Sequence, residues 1–346
     1  MKIIVLNNMA PFVWGGAEEL AGHLAKNLAR VGHEAEVIRI PFQWEPFTKI
    51  PSQMLLARFV NLDSADRVIA LKFPAYLAQH PNKTLWLLHQ YRQAYDLFDA
   101  HQSNLNDSDA ALELRQMIRS ADNESFREAR KIYTNSEITK SRLDRYNPGF
   151  DAEVLLPPLN DPELFDETVD GNYIYAGGRV NLMKRQHLLV EAMRFAPKNA
   201  SLVIAGPPES PADTARLVGL VEDAGLADRV HLHLRFLDRK ELAKYVCGAL
   251  ACAYLPFDED SLGYVSMEAA TAGKAIITAT DSGGILGLAK HGETGWVSEP
   301  TAEGLGAAIT AAYANRAKTM KMGLAAKARW QAMDVTWSKT IEKLLL

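Results

Sequence analysis

Cysteine is scarce in this chain of 346 residues: Cys247 and Cys252 are its only two. They sit among apolar neighbours with no metal-ligand spacing, so neither a disulfide framework nor a zinc site is expected, and a reducing compartment suits them. Long hydrophobic runs are missing as well. No stretch approaches the ~18 residues of a membrane span, and residues 1 to 6 already read as a strand with no signal peptide ahead of it. The expected location is therefore the cytoplasm. Positive charge is not in excess: 38 Lys and Arg stand against 42 Asp and Glu, a net charge of -4. That leaves no electrostatic reason to expect nucleic acid. A Gly-x-Gly-x-x-Gly dinucleotide fingerprint is also absent.

The composition is that of a globular protein, 48% hydrophobic and 23% charged, and the length suffices for two ordinary domains. One stretch organises the rest, Asp258 to Gly284. The apolar run Leu250 to Leu255 before it reads as a buried parallel strand. Three acids follow, Asp258, Glu259 and Asp260. Gly263 then starts a helix that carries Glu268 and stops at Gly273, and Lys274 to Thr278 reads as the next strand. Strand, acidic loop and helix start place polar groups at the carboxyl edge of a sheet, where open α/β folds bind ligands. The helix start, Gly263, Tyr264 and Val265, offers N–H groups and a positive dipole end that suit a phosphate. Glu268 lies one turn deeper, where a carboxylate can accept two hydrogen bonds from a vicinal diol such as a ribose.

Asp260 and Glu268 bracket seven residues, and Gly-Tyr-Val-x-Met-Glu-Ala resembles the E-x7-E motif of the retaining GT-B glycosyltransferases of family four. The resemblance implies that Glu268 binds the nucleotide ribose and that Asp260 contacts the donor sugar. Asp replaces the usual Glu at the first position, and whether Asp260, Glu259 or Asp258 takes that role stays open. The likeness runs over nearly the whole chain. Gly15-Gly16-Ala-Glu, followed by an amphipathic helix, is similar to the family's first loop, where two glycines let backbone N–H groups approach the donor diphosphate; the plain alternative is a tight turn. His89, at the end of a strand, matches a histidine that reaches the donor sugar and the acceptor; the alternative is a capping histidine at the core edge. Arg179 and Lys184 resemble the basic pair that holds the diphosphate. Two fixed cations stabilise the charge that builds on the leaving phosphate without a metal. Arg185 is adjacent and is a substitute for them; a solvated basic loop is the other reading.

Both halves alternate strand and helix around a Gly-Gly loop. The expected fold is α/β of the GT-B kind, two doubly wound, Rossmann-like domains facing across a cleft. Residues 1 to 160, with the last helix at 336 to 346 packing back on them, form the acceptor-side domain. Residues 168 to 332 form the nucleotide-sugar domain, after a linker rich in proline and acids at 157 to 170. Within the first domain a long helix is expected over 107 to 132. The irregular aromatic stretch from Pro41 to Leu62 is either a helix packed on the sheet or an amphipathic surface for a membrane or lipid acceptor.

The function that the resemblance implies is transfer of a sugar from a UDP- or GDP-sugar to a hydroxyl of a glycan or lipid-linked acceptor, as in polysaccharide biosynthesis. Configuration would be retained, no metal or other cofactor would be needed, and the work would be done in the cytoplasm or at the inner face of the membrane. Rival readings are a nucleotide-sugar epimerase or phosphorylase on the same fold and a non-catalytic nucleotide-sugar-binding protein.

Overall fold

The computed structural model describes residues 1–12, 14–166 and 169–346, and the chain divides into two compact units. The first comprises Met1–Pro158 with Thr336–Leu346. Its strands are β1 (Lys2–Met9), β2 (Glu34–Pro41), β3 (Arg67–Lys72), β4 (Lys83–His89), β5 (Lys131–Thr134) and β6 (Glu153–Val154). Its helices begin with α1 (Gly16–Arg30), α2 (Ile50–Arg58), α3 (Asp96–Asp99), α4 (Asp109–Glu128) and α5 (Glu137–Tyr146). All strands run parallel in the order β2-β1-β3-β4-β5-β6. The runs Ile3 to Leu6, Val68 to Leu71 and Leu85 to Leu88 are buried end to end, as strands covered by helices on both faces must be.

The second unit is Leu159–Val335. Its strands are β7 (Ile174–Gly177), β8 (Leu202–Ala205), β9 (Val230–His233), β10 (Ala251–Ala253), β11 (Ala275–Ala279) and β12 (Gly295–Ser298). Its helices are α6 (Gln186–Ala192), α7 (Pro211–Asp223), α8 (Arg239–Cys247), α9 (Tyr264–Thr271), α10 (Ala302–Ala314) and α11 (Arg316–Ala332). Read from one edge, the parallel order is β9-β8-β7-β10-β11-β12, the Rossmann arrangement with its reversal between β7 and β10. Side chains placed by sequence close the helix starts: Ser210 accepts from the Asp213 N–H, Asp238 from Glu241 and Thr301 from Gly304. The last helix, α12 (Trp337–Leu345), belongs to the first unit. It buries Ile341 and Leu344 with Leu20, Leu24 and Leu28 of α1. Its last carbonyls are held by Arg67, whose Nη1 donates to the Leu344 oxygen at 3.0 Å, and by Tyr133, whose hydroxyl donates to Lys343 at 2.8 Å.

Several boundaries differ from the sequence reading. The helix expected over 107 to 132 stops at Glu128, because Ala129 turns to extended backbone and Ile132 belongs to β5. The first strand continues past Leu6 to Met9, since β2 pairs with it over its full length. The irregular stretch after β2 holds a 3-10 turn, Phe47–Lys49, and then α2, with Ile50, Met54 and Ala57 in the core. The expected start of the second domain at residue 168 lies outside the described residues.

Candidate functional site

The reversal between β7 and β10 puts two loops side by side at the carboxyl edge of the second sheet. After β7 the chain passes Gly178, whose φ of +95° suits glycine alone. A Cβ built there would stand 3.4 Å from a methyl of Val265 in α9, so the loop after β7 runs directly against the start of the helix that follows β10. Gly263, the residue before α9, also has positive φ, +76°, and a Cβ on it would lie 2.4 Å from the Tyr254 ring. Among the described residues no side chain caps α9, so its first turn keeps the positive end of the helix dipole for a ligand.

Lys184 ends a 3-10 turn that Asn181 holds by accepting the Lys184 N–H at 2.9 Å. Its ammonium donates to the Tyr254 hydroxyl at 2.9 Å and forms an ion pair with Glu259. Burial works to lower its pKa, but Tyr254 and Glu259 outweigh burial, so the group is held charged. The Tyr254 hydroxyl, pushed up to about 12 by burial and then by Glu259, remains neutral. Arg179 stands half-buried on the same loop. Arg185, considered above as a substitute cation, is spent elsewhere. It bonds both oxygens of Asp281, at 2.6 and 2.7 Å, and the carbonyls of Leu255 and Pro256. That fork-on-carboxylate geometry braces the loop after β10 against the loop after β11.

The three acids diverge. Asp258 sits at φ +43° with its N–H on the Asp281 carbonyl. Glu259 turns to Lys184. Asp260 is buried at 6% exposure, and its backbone is packed so closely on Gly284 that a Cβ there would come within 2.6 Å of the Asp260 oxygen. Glu268 is buried on α9, 2% exposed. Burial raises its pKa, and Arg239 at the start of α8 acts against that by pairing with the carboxylate. The second Arg239 nitrogen donates to the Asn160 carbonyl at 2.7 Å, and the guanidinium lies 4.8 Å over the Phe165 ring.

Lys184, Asp260, Gly263, Tyr264, Val265 and Glu268 thus lie on two adjoining loops and one helix of the second unit, with Arg179 on the first of those loops. The other sequence candidates belong to the first unit. Gly15 is the N-cap of α1 and Gly16 its first residue; Gly15 has an extended backbone, and its N–H donates to the Glu18 carboxylate at 2.9 Å. His89, half-buried at the end of β4, has Nδ1 2.7 Å from the Gln90 carbonyl. That bond places the ring proton on Nδ1 and makes Nε2 the acceptor of the neutral ring. Gln90 is itself pinned: its side-chain nitrogen donates to Asn147 at 2.6 Å.

Arg239, Tyr254 and the Lys184–Glu259 pair were not found from sequence. Arg239 follows the capping Asp238 and looks like an ordinary first-turn residue. Nothing in its neighbourhood along the chain says that Glu268 will stand opposite.

Residues 162–329 match the family described as glycosyl transferases group 1. A D-inositol 3-phosphate glycosyltransferase from Xylanimonas cellulosilytica is 30% identical over 153 residues, 41% of this chain and 36% of that protein. One of the same name from Mycobacteroides abscessus is 27% identical over 226 residues, 63% and 48% of the two chains. The chain therefore spans half or less of the length of these curated relatives. Among solved structures, sucrose-phosphate synthase from Thermosynechococcus elongatus superposes with a TM-score of 0.78 at 20% identity, covering 99% of this chain and 97% of the other. HepE from Anabaena, in complex with UDP and glucose, gives 0.72 at 17% identity over 99% and 98%. The glycosyltransferase WaaG, involved in lipopolysaccharide biosynthesis, gives 0.76 at 16% identity over 99% and 98%. These likenesses establish the fold: two parallel six-stranded α/β units of the GT-B kind.

Proposed function

We propose that this protein transfers a sugar from a nucleotide-sugar donor to a hydroxyl of a glycan or lipid-linked acceptor, with retained configuration and without a metal ion. The observation that carries this reading is the convergence of a charged Lys184, an uncapped helix start and a buried carboxylate, Glu268, at the strand-order reversal of the glycosyl transferases group 1 domain. A diphosphate needs the first two, and a ribose diol needs the third. The second unit is the donor domain, and the first serves the acceptor. The departing phosphate, held by Lys184 and Arg179, helps take the acceptor's proton in a front-face reaction, so no carboxylate need act as nucleophile. UDP and UDP-glucose, named with the solved relative HepE, make a UDP-sugar the first donor to test.

Calorimetric titration of nucleoside diphosphate into Glu268→Gln and Asp260→Asn separates the two acids. Ribose is present in donor and product alike, and hydrogen bonds to a charged group contribute ~1.5–3 kcal/mol. Glu268→Gln should therefore weaken donor and free nucleotide together, while Asp260→Asn spares the nucleotide and slows transfer. The opposite pattern would reverse the two roles. Transfer should also survive excess chelator; loss in EDTA that manganese restores would refute metal independence. If His89 serves the sugar rather than the nucleotide, His89→Ala slows transfer at unchanged nucleotide affinity.

A lipid-linked acceptor, met at the cytoplasmic face of a membrane, is favoured by the surface of α2. Leu55, Leu56 and Phe59 are exposed, and a groove of about 450 Å³ runs between them and Ile38 and Ile40 of β2. No helix among the described residues is long and apolar enough to cross a membrane. Flotation with anionic vesicles should carry the wild type upward and leave a Leu55→Ser/Phe59→Ser variant behind; equal flotation removes this surface from the account.

A further inference from the structure

We propose that Arg239 is a positioning residue for nucleotide binding: it holds the Glu268 carboxylate in one orientation by tying it to the Asn160 carbonyl, the Phe165 ring and the Asp161 carboxylate. The inference rests on the ribose reading of Glu268 and adds a second residue to it.

A carboxylate as buried as Glu268 pays heavily for its charge unless a partner offsets the loss of water. Arg239 is the one side chain among the described residues that hydrogen-bonds it. Arg239 is itself fixed by its other nitrogen on the Asn160 carbonyl at 2.7 Å, by the face of Phe165 and by Asp161 at 4.0 Å. A guanidinium held at so many points cannot swing, so the oxygen it grips cannot swing either. The remaining carboxylate oxygen then presents its lone pairs in a preset direction, and a diol that docks there need not order the side chain first. The groups facing Glu268 from neighbouring elements do not replace Arg239. Tyr175 on β7 and Cys252 on β10 carry protons whose release burial opposes, and so does Tyr254 just beyond β10. None of the three supplies a positive charge. Burial already outweighs Arg239 and raises the Glu268 pKa; without Arg239 nothing among the described residues opposes it, and Glu268 would hold its proton to still higher pH. A protonated acid accepts more weakly than a carboxylate and has one accepting site fewer.

The test titrates the nucleoside diphosphate that the wild type binds, chosen among UDP, GDP and ADP, into four variants between pH 5.5 and 8.5. Arg239→Gln should bind about tenfold more weakly at pH 7.5, and its affinity should fall further as pH is lowered. The wild type should fall less, since it shares with every variant the protonation of the terminal phosphate, which titrates at about pH 6. Arg239→Lys restores the charge without the fork, so it should recover the wild-type pH profile and only part of the affinity. Arg239→Gln/Glu268→Gln has no buried unpaired charge and should fold; its affinity should equal that of Glu268→Gln alone, and the two should share one pH profile, the one the phosphate imposes. Wild-type affinity and pH profile in Arg239→Gln, beside a weakened Glu268→Gln, would overturn the positioning role and leave the ribose reading standing. A double variant weaker than Glu268→Gln would also overturn it, since Arg239 would then act other than through Glu268. Wild-type binding by Glu268→Gln would overturn both readings.

Discussion

Lys184 illustrates how a residue of expected function is found already engaged. Its ammonium sits between the Tyr254 hydroxyl and the Glu259 carboxylate, so a diphosphate arriving there meets a cation with a competitor attached. Removing the competitor's charge leaves Lys184 available, and Glu259→Gln should tighten nucleoside diphosphate binding several-fold at low salt. The gain should shrink as ionic strength rises, because the site is open enough for screening. Weaker binding in that variant would mean that Glu259 contacts the ligand rather than competing with it. Lys184→Ala removes the charge itself. Loss of one preorganised electrostatic donor lowers turnover by ~10²–10³-fold in comparable sites, and Arg179→Ala should behave alike. Turnover at the wild-type level in both would end the assignment.

At the scale of the element, α9 depends on the turn before it. Gly263 combines φ +76° with a ring carbon of Tyr254 where its Cβ would be. The ring cannot retreat freely, since Tyr254 is buried and its hydroxyl receives the Lys184 ammonium. Gly263→Ala should therefore cost more than the ~1 kcal/mol of a conformational penalty alone. It should also displace Tyr254 and with it Lys184. Urea unfolding measures the first effect and nucleotide titration the second; a variant as stable as the wild type with equal affinity would show that the turn accommodates a side chain. The same scale shows where reading a sequence loses accuracy. The Ser210, Asp238 and Thr301 caps are local, between residues three apart, and can be read from the chain. The end of α4 is not local: residues 131 to 134 leave the helix because β4 offers them a strand partner.

At the scale of the whole molecule, one buried acid outside the candidate site couples folding to pH. Asp122 of α4 is fully buried, with the hydroxyls of Tyr76 and Tyr95 on its two oxygens at 2.9 and 2.7 Å. Burial, only partly offset by those hydroxyls, moves its pKa from 3.8 to about 7. The folded state thus holds a proton that the unfolded state has released between about pH 4 and 7. Stability from this group is full below that window and declines as pH rises through it, by at most about 4 kcal/mol. Asp122→Asn cannot release the proton and should flatten that slope, so urea midpoints at pH 5 and pH 8 should differ less in the variant than in the wild type. An unchanged difference would show that Asp122 stays charged throughout.

What the sequence determined by itself is the pattern: short apolar strands alternating with amphipathic helices, twice over, with glycines and an acidic loop after particular strands. That pattern suffices for two α/β units with parallel strands, because strand burial and helix periodicity are read from neighbours along the chain; the GT-B kind came from the family resemblance of particular motifs. Only the tertiary structure decided which groups meet. Strand order is not written in any one segment, yet the reversal between β7 and β10 is what sets the Gly177-Gly178 loop beside α9 and brings Lys184 to Glu259, 75 residues on. Arg239 and Glu268, 29 residues apart, face each other because α8 and α9 flank the same strand, β10. Arg185 and Lys184 look equivalent in sequence. Backbone direction sends one to the carboxylate of Asp281 and leaves the other at the site, a difference of geometry that residue type cannot record.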